Sequence, residues 1–273
     1  MPIMMFRKSY KRKSVRDGMN KRGQTAMYVI IAIVIVVAGV MVYTFYPEIT
    51  SGLGGEITPA AFLRQCMGLV VSDNVELIAS QGGYANPEGF VNYKNVRVKY
   101  LCYESQYYTP CKVQQPLLRQ QFEKDLEVKL APEVESCVDE LKAEYERRGY
   151  QVNALGTGSE VNIIPESIKI KLKSEISVTK DETQSFKGVE INIPSKMYDL
   201  LMISTSMIEY EATYGNTETT LYTQNYPNLD IIKDELDDGT TVYTVSDVTT
   251  SESFRFASRS LVWPAGYGLE APR

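Results

Sequence analysis

Four cysteines, Cys66, Cys102, Cys111 and Cys137, together with the complete absence of histidine, set the limits of the chemistry open to this 273-residue chain. Without histidine there is no Ser–His or Cys–His nucleophile pair, no histidine general base and no histidine ligand for zinc. Most common hydrolytic mechanisms are thereby excluded. The cysteines form no CxxC pair, which argues against a metal site and leaves two fates for them, two disulfides or four reduced, buried thiols. Three pairings are open to four cysteines. Cys102 with Cys111 closes the short turn from Tyr103 to Pro110, and Cys66 with Cys137 joins two helices through their apolar faces.

The remaining motifs are fragments. Gly156-Thr157-Gly158 resembles the start of a dinucleotide loop, but Val161 stands where the third glycine belongs, so it reads as a turn. Ser177-Val178-Thr179-Lys180 and Ser72-Asp73-Asn74 match the SxxK and SDN pieces of a serine acyl-transfer site. They stand in the wrong chain order, and no KTG follows. The acidic run Asp234-Glu235 and Asp237-Asp238-Gly239 departs from EF-hand spacing and reads as a solvated hairpin turn, with ion binding as the alternative. No cofactor, no metal and no catalytic residue is expected. Because 34 acids make some facing pair inevitable, a carboxylate-based glycan hydrolase remains the enzymatic alternative, and a cleft with two carboxylates and aromatic walls would mark it.

The elements that must carry these residues begin with a charge division. Residues 1–25 form a basic head with Arg7, Lys8, Lys11, Arg12, Lys13, Arg16, Lys21 and Arg22 against a single acid, Asp17. Residues 26–46, AMYVIIAIVIVVAGVMVYTFY, carry no charge, and as a helix they would span roughly 31 Å, the thickness of a bilayer core. The pattern predicts a transmembrane helix with the head in the cytoplasm and the body outside. The expected partners are the lipid bilayer and other copies of the chain, through the small residues Ala26, Ala32, Ala38 and Gly39, with no nucleic acid.

Residues 47–57 read as a spacer. Over 58–150 the pattern is mainly helical. Thr58-Pro59 opens a helix with an apolar stripe of Phe62, Cys66, Leu69, Val70, Leu77 and Ile78, ended by Gly82-Gly83. A strand around Val96 to Tyr103 follows, then one helix opened by Pro116 and another by Pro132. Over 151–273 the period changes to two. Ile168, Ile170, Leu172, Ile176 and Val178 read as one strand, paired with Val189, Ile191 and Ile193 across the turn Asp181-Glu182-Thr183-Gln184. Pro194-Ser195 opens a helix stopped by Gly215, Asp238-Gly239 reads as a primed turn between Ile231-Ile232 and Val242 to Val245, and Phe254 and Phe256 mark a last strand. The fold class is α+β: a transmembrane helix, a disulfide-linked helical region and an antiparallel sheet with a covering helix.

Lys21-Arg22-Gly23-Gln24-Thr25-Ala26, directly before the apolar stretch, resembles the class III signal peptide of archaeal type IV pilin-like proteins. The resemblance implies cleavage between Gly23 and Gln24 and packing of the exposed helix into a filament core. Tyr28 stands where many members carry glutamate. The body is similar to uncharacterised single-span archaeal surface proteins in the segments Ile78 to Tyr84, Tyr100-Leu101-Cys102-Tyr103 and Phe256 to Ser260, a resemblance that implies no activity. The resulting expectation is a non-enzymatic, membrane-anchored, extracytoplasmic surface protein with a structural or binding role. Its alternatives are a filament subunit and an envelope enzyme using carboxylates.

Overall fold

The computed structural model describes residues 31–37, 58–156, 158–180 and 182–264, and the chain divides into two compact units, Met1–Ile57 and Thr58–Arg273. In the first unit residues 31–37 are helical. This corrects the expected architecture. Among the described residues no helix is long and apolar enough to cross a membrane, where a bilayer core needs about 30 Å of apolar helix. The transmembrane helix over 26–46 is therefore withdrawn from the fold class. The basic head, with Gly23 and Gln24, and the spacer 47–57 lie outside the described residues.

Along the second unit the elements are α1 (Pro59–Ser80), β1 (Phe90–Tyr93), β2 (Val96–Tyr103), β3 (Lys112–Val113), α2 (Leu118–Arg147), β4 (Gln151–Leu155), β5 (Ser159–Ile164), β6 (Ser167–Leu172), β7 (Glu175–Thr179), β8 (Thr183–Lys187), β9 (Glu190–Pro194), α3 (Met197–Tyr214), α4 (Thr220–Asn225), β10 (Leu229–Glu235), β11 (Thr241–Asp247) and β12 (Ser253–Arg259). The α+β class stands. The largest sheet runs β1-β2-β12-β11-β10 with β3 added to β2, and two three-stranded sheets run β4-β7-β8 and β5-β6-β9. The large sheet is mixed rather than antiparallel, because β2 and β12 run parallel, with Ala257 opposite Tyr100 and Arg259 opposite Tyr103. That pairing joins the expected helical half to the expected sheet half. One core cluster likewise reaches from Leu63 on α1 through Leu126 on α2 to Phe256 on β12.

Local sequence explains most of the elements. Thr58 caps α1, its Oγ1 accepting from the Ala61 N–H at 3.3 Å, and Pro59 begins the helix. The buried row of α1 is Leu63, Met67, Val71, Val75 and Ile78, a spacing of four and three that keeps one side inward. Leu69, assigned to the stripe from sequence, is instead 80% exposed. The helix expected to start at Pro132 is the second half of α2, which runs unbroken through that proline. Pro132 removes a donor, yet it and Val128, whose carbonyl loses a partner, sit on the exposed side, where water can replace the bond. Leu126, Leu130, Val134, Val138 and Leu141 stay buried across it, and that burial outweighs the lost bond.

Two further expectations are corrected in the sheets. Strand β6 does pair with β9, Ile168 opposite Ile193 and Ile170 opposite Ile191, but the turn expected to join them lies between β7 and β8. Ile176 and Val178, however, belong to a separate strand, β7, between β4 and β8 in another sheet. The even-numbered positions stay buried through Leu172, Ser174 and Ile176, so the alternation runs on while the chain changes sheets. The β10–β11 connection has a positive φ at Gly239, at +80°, and none at Asp237 or Asp238. Gly239 N–H donates to Leu236 O at 3.0 Å and Leu236 N–H to Thr240 O at 2.7 Å. This is a longer turn closed by a left-handed glycine, not a two-residue primed turn. The primed geometry occurs instead between β1 and β2, where Lys94 and Asn95 both have positive φ, +47° and +66°.

Candidate functional site: an aromatic and acidic cleft

Four separate stretches of the second unit meet at one corner: the loop after β2, the C-terminus of α3, the β10–β11 turn and the segment after β12. They border a cleft of about 440 Å³ lined by Tyr107, Asn216, Glu235, Asp237, Asp238 and Trp263 among others.

The loop is fixed first by covalent chemistry. Cys102 and Cys111 are joined, with Cα atoms 5.4 Å apart, and both are buried. The closed loop is then stitched to the chain after β12. Glu104 N–H donates to Arg259 O at 3.0 Å, Tyr108 N–H to Val262 O at 3.0 Å, Leu261 N–H to Thr109 O at 3.0 Å, and Cys111 N–H to Ser260 Oγ at 2.9 Å. Residues some 150 positions apart in sequence thereby present their rings together: Tyr108 and Trp263 meet edge to face at 5.0 Å, and Tyr107 lies 6.4 Å from Tyr108. Tyr107 and Trp263 remain 50% and 49% exposed. Aromatic surface held in water by a buried scaffold is poorly explained by folding alone.

The backbone here is strained. Tyr108 and Leu261 have φ of +63° and +49°, a region that bulky side chains rarely occupy and that costs on the order of 1–3 kcal/mol per residue. Two glycines make the arrangement fit. Gly215 ends α3 in the left-handed conformation, and a Cβ there would lie 2.5 Å from Leu261 Cβ; at Gly239 it would lie 2.3 Å from Val262 Cγ1. The two close approaches seat the 260–263 segment.

Beneath the cleft lies Glu211, 2% exposed. Its Oε1 accepts from Tyr243 OH at 2.6 Å and from Thr217 N–H at 2.6 Å, and its Oε2 accepts from Ser258 Oγ at 2.9 Å. Its backbone carbonyl accepts from Gly215 N–H and from Ser260 Oγ, each at 2.9 Å. One residue thus ties α3 to β11, β12 and the segment after β12. Burial, and then the neighbouring Glu211 charge, push the Tyr243 hydroxyl well above its ordinary pKa. At the base of the loop, Glu104 accepts from Gln106 N–H at 3.1 Å and Ser105 N–H at 2.9 Å and pairs with Lys112 at 3.3 Å. The Gln106 bond first, and then Lys112, hold its carboxyl below the usual range.

The polar groups of the cleft differ in how far they are already engaged. Glu235 pairs with Lys233 at 3.2 Å, and the same Lys233 donates to Asn216 Oδ1, which leaves the Asn216 amide nitrogen as a donor. Asp238 Oδ1 accepts from Thr240 N–H at 2.9 Å. Arg259 stands 5.8 Å from the Tyr107 ring centroid, with Nε donating to the Asp238 carbonyl at 3.3 Å. Asp237, at the tip of the turn, makes no hydrogen bond or ion pair among the described residues. The cleft offers apolar ring faces, one unengaged carboxylate and an amide donor, a set suited to holding a ligand.

Of the residues singled out from sequence, Cys66 and Cys137 join α1 to α2 at a Cα separation of 6.0 Å, and Cys102 pairs with Cys111 as the spacing suggested. The acidic run brings Glu235, Asp237 and Asp238 to the cleft. Asp234 points elsewhere, bonded by the Tyr93 hydroxyl and 3.6 Å from Lys94 Nζ. Among the described residues no group of three or more acids and cysteines could hold a metal ion. Ser72, Asp73 and Asn74 lie on α1 and Ser177 on β7, so the acyl-transfer fragments occupy separate elements. Tyr107, Asn216 and Trp263 were not singled out from sequence. The available signal was a tyrosine pair inside a short cysteine-closed loop and the chain's single tryptophan. Compared with protein-family models, curated proteins and solved structures, the chain matches none.

Proposed function

We propose that the chain is a non-enzymatic, extracytoplasmic surface protein with a binding role, and that the aromatic and acidic cleft is its contact face. The observation that carries this reading is the cleft, where exposed rings are held by a strained loop that a buried disulfide closes. Two disulfides suit an oxidising compartment. A glycan hydrolase is the second reading, favoured by several carboxylates and aromatic walls in one place. Against it, Glu235, Asp237 and Asp238 are all exposed, whereas a general acid is a desolvated carboxylate.

The test uses the protein from its native host. Maleimide added without reductant should find no thiols, and incubation with envelope polysaccharide should release no reducing ends. Four alkylatable thiols would contradict the extracytoplasmic reading. Reducing ends that disappear in Asp237→Asn would establish the hydrolase instead.

A further inference from the structure

We propose that the cleft takes a neutral saccharide, an inference that rests on the cleft being a contact face. A pyranose ring is chemically two-sided: its axial C–H groups form a weakly apolar patch that stacks on an aromatic face, and its hydroxyls each donate and accept around the rim. Trp263 and Tyr107 supply exposed ring faces in the same cleft as the Asp237 carboxylate and the Asn216 amide. A carboxylate accepts from two neighbouring hydroxyls at once, and an amide N–H returns a bond to a hydroxyl oxygen.

The competing ligand for aromatic rings beside carboxylates is an organic cation. Here the positive charges are already in place. The Arg259 guanidinium lies 5.8 Å from the Tyr107 ring centroid, and Lys233 pairs with Glu235. A cationic ligand would meet both as like charges, and of the three carboxylates only Asp237 is unengaged among the described residues. Neither would a metal ion find its ligands, because no cluster of three or more acids and cysteines forms among the described residues. A polyhydroxylated neutral molecule uses the acceptor, the donor and the rings together, without needing a net charge.

The single tryptophan makes the test direct, since Trp263 is the chain's sole indole fluorophore. The full chain is titrated in EDTA with soluble oligomers of glucose, mannose, galactose and N-acetylglucosamine. At least one should give a saturable change in Trp263 emission. Tyr107→Ala and Asp237→Asn should each weaken that binding at least ten-fold with an unchanged melting temperature. Should Tyr107→Ala fail to fold, Asp237→Asn still decides, because that side chain is exposed and makes no bond among the described residues. Tetramethylammonium chloride should leave the emission unchanged. The proposal is overturned if no oligomer moves the emission, if tetramethylammonium moves it and the oligomers do not, or if the response requires added calcium. Those outcomes strike the ligand class alone. The contact-face reading fails separately, if a photo-cross-linker at position 107 captures nothing on the native envelope.

Discussion

Tyr243 on β11 donates to the Glu211 carboxylate on α3 at 2.6 Å, inside the protein and directly beneath the aromatic cleft. The same carboxylate accepts from Thr217 and Ser258. A buried charge is tolerated where several donors converge on it. Replacing Glu211 with Gln puts an NH2 group against a donor, and should lower stability by about 2–3 kcal/mol. Tyr243→Phe removes one donor and should cost about 1–2 kcal/mol. Urea denaturation midpoints of the two variants check both values and their order.

The same pair sets an alkaline limit. The Tyr243 hydroxyl is raised by burial and by Glu211, so the fold favours its protonated form. Its contribution is complete below the unfolded phenol's value of about 10 and is lost as pH rises above it. Stability should fall faster above pH 10 in the native chain than in Tyr243→Phe. Equal slopes between pH 9 and pH 11 would show that Tyr243 is not the group responsible.

The two disulfides should separate in effect. Cys66–Cys137 spans 71 residues and Cys102–Cys111 spans 9, which in the chain-entropy model correspond to about 4 and about 2.5 kcal/mol. The Cys66→Ser, Cys137→Ser pair should therefore lower the melting temperature more. The Cys102→Ser, Cys111→Ser pair should be the one that changes Trp263 emission, because its loop is stitched to the 259–262 segment.

Pro132 offers a stabilising substitution. It lies inside α2 on the exposed side and leaves the Val128 carbonyl without its helical donor. Pro132→Ala should raise stability by about 1 kcal/mol or more, given a helix-interior penalty for proline of about 3 kcal/mol. A loss of stability would mean that the proline ring packs in a way its exposure does not suggest.

How far the sequence foretells this molecule depends on the range of the interaction. The β10–β11 and β6–β9 pairings were legible because alternation of apolar residues is local, whereas their registers were not, since the expected turns differ from the observed ones. The cysteine pairing was legible because a short loop and two helix faces leave few arrangements. The break between β6 and β7 was hidden, since Ser174 keeps the parity of burial while the chain changes sheets. The transmembrane helix expected over 26–46 has no counterpart among the described residues. The cleft was legible only in its acidic turn. Tyr107 and Trp263 meet through hydrogen bonds between stretches far apart in sequence, and through Gly215 and Gly239, which make room for Leu261 and Val262.

The measurement that bears most directly on the central claim is site-specific photo-cross-linking on the native envelope. The cross-linker is placed in turn at position 107 in the cleft and at position 146, an exposed site on α2. Capture of an envelope component from position 107 and none from position 146 is the predicted result. Equal capture from both positions, or none from either, would contradict the assignment of the cleft as the contact face.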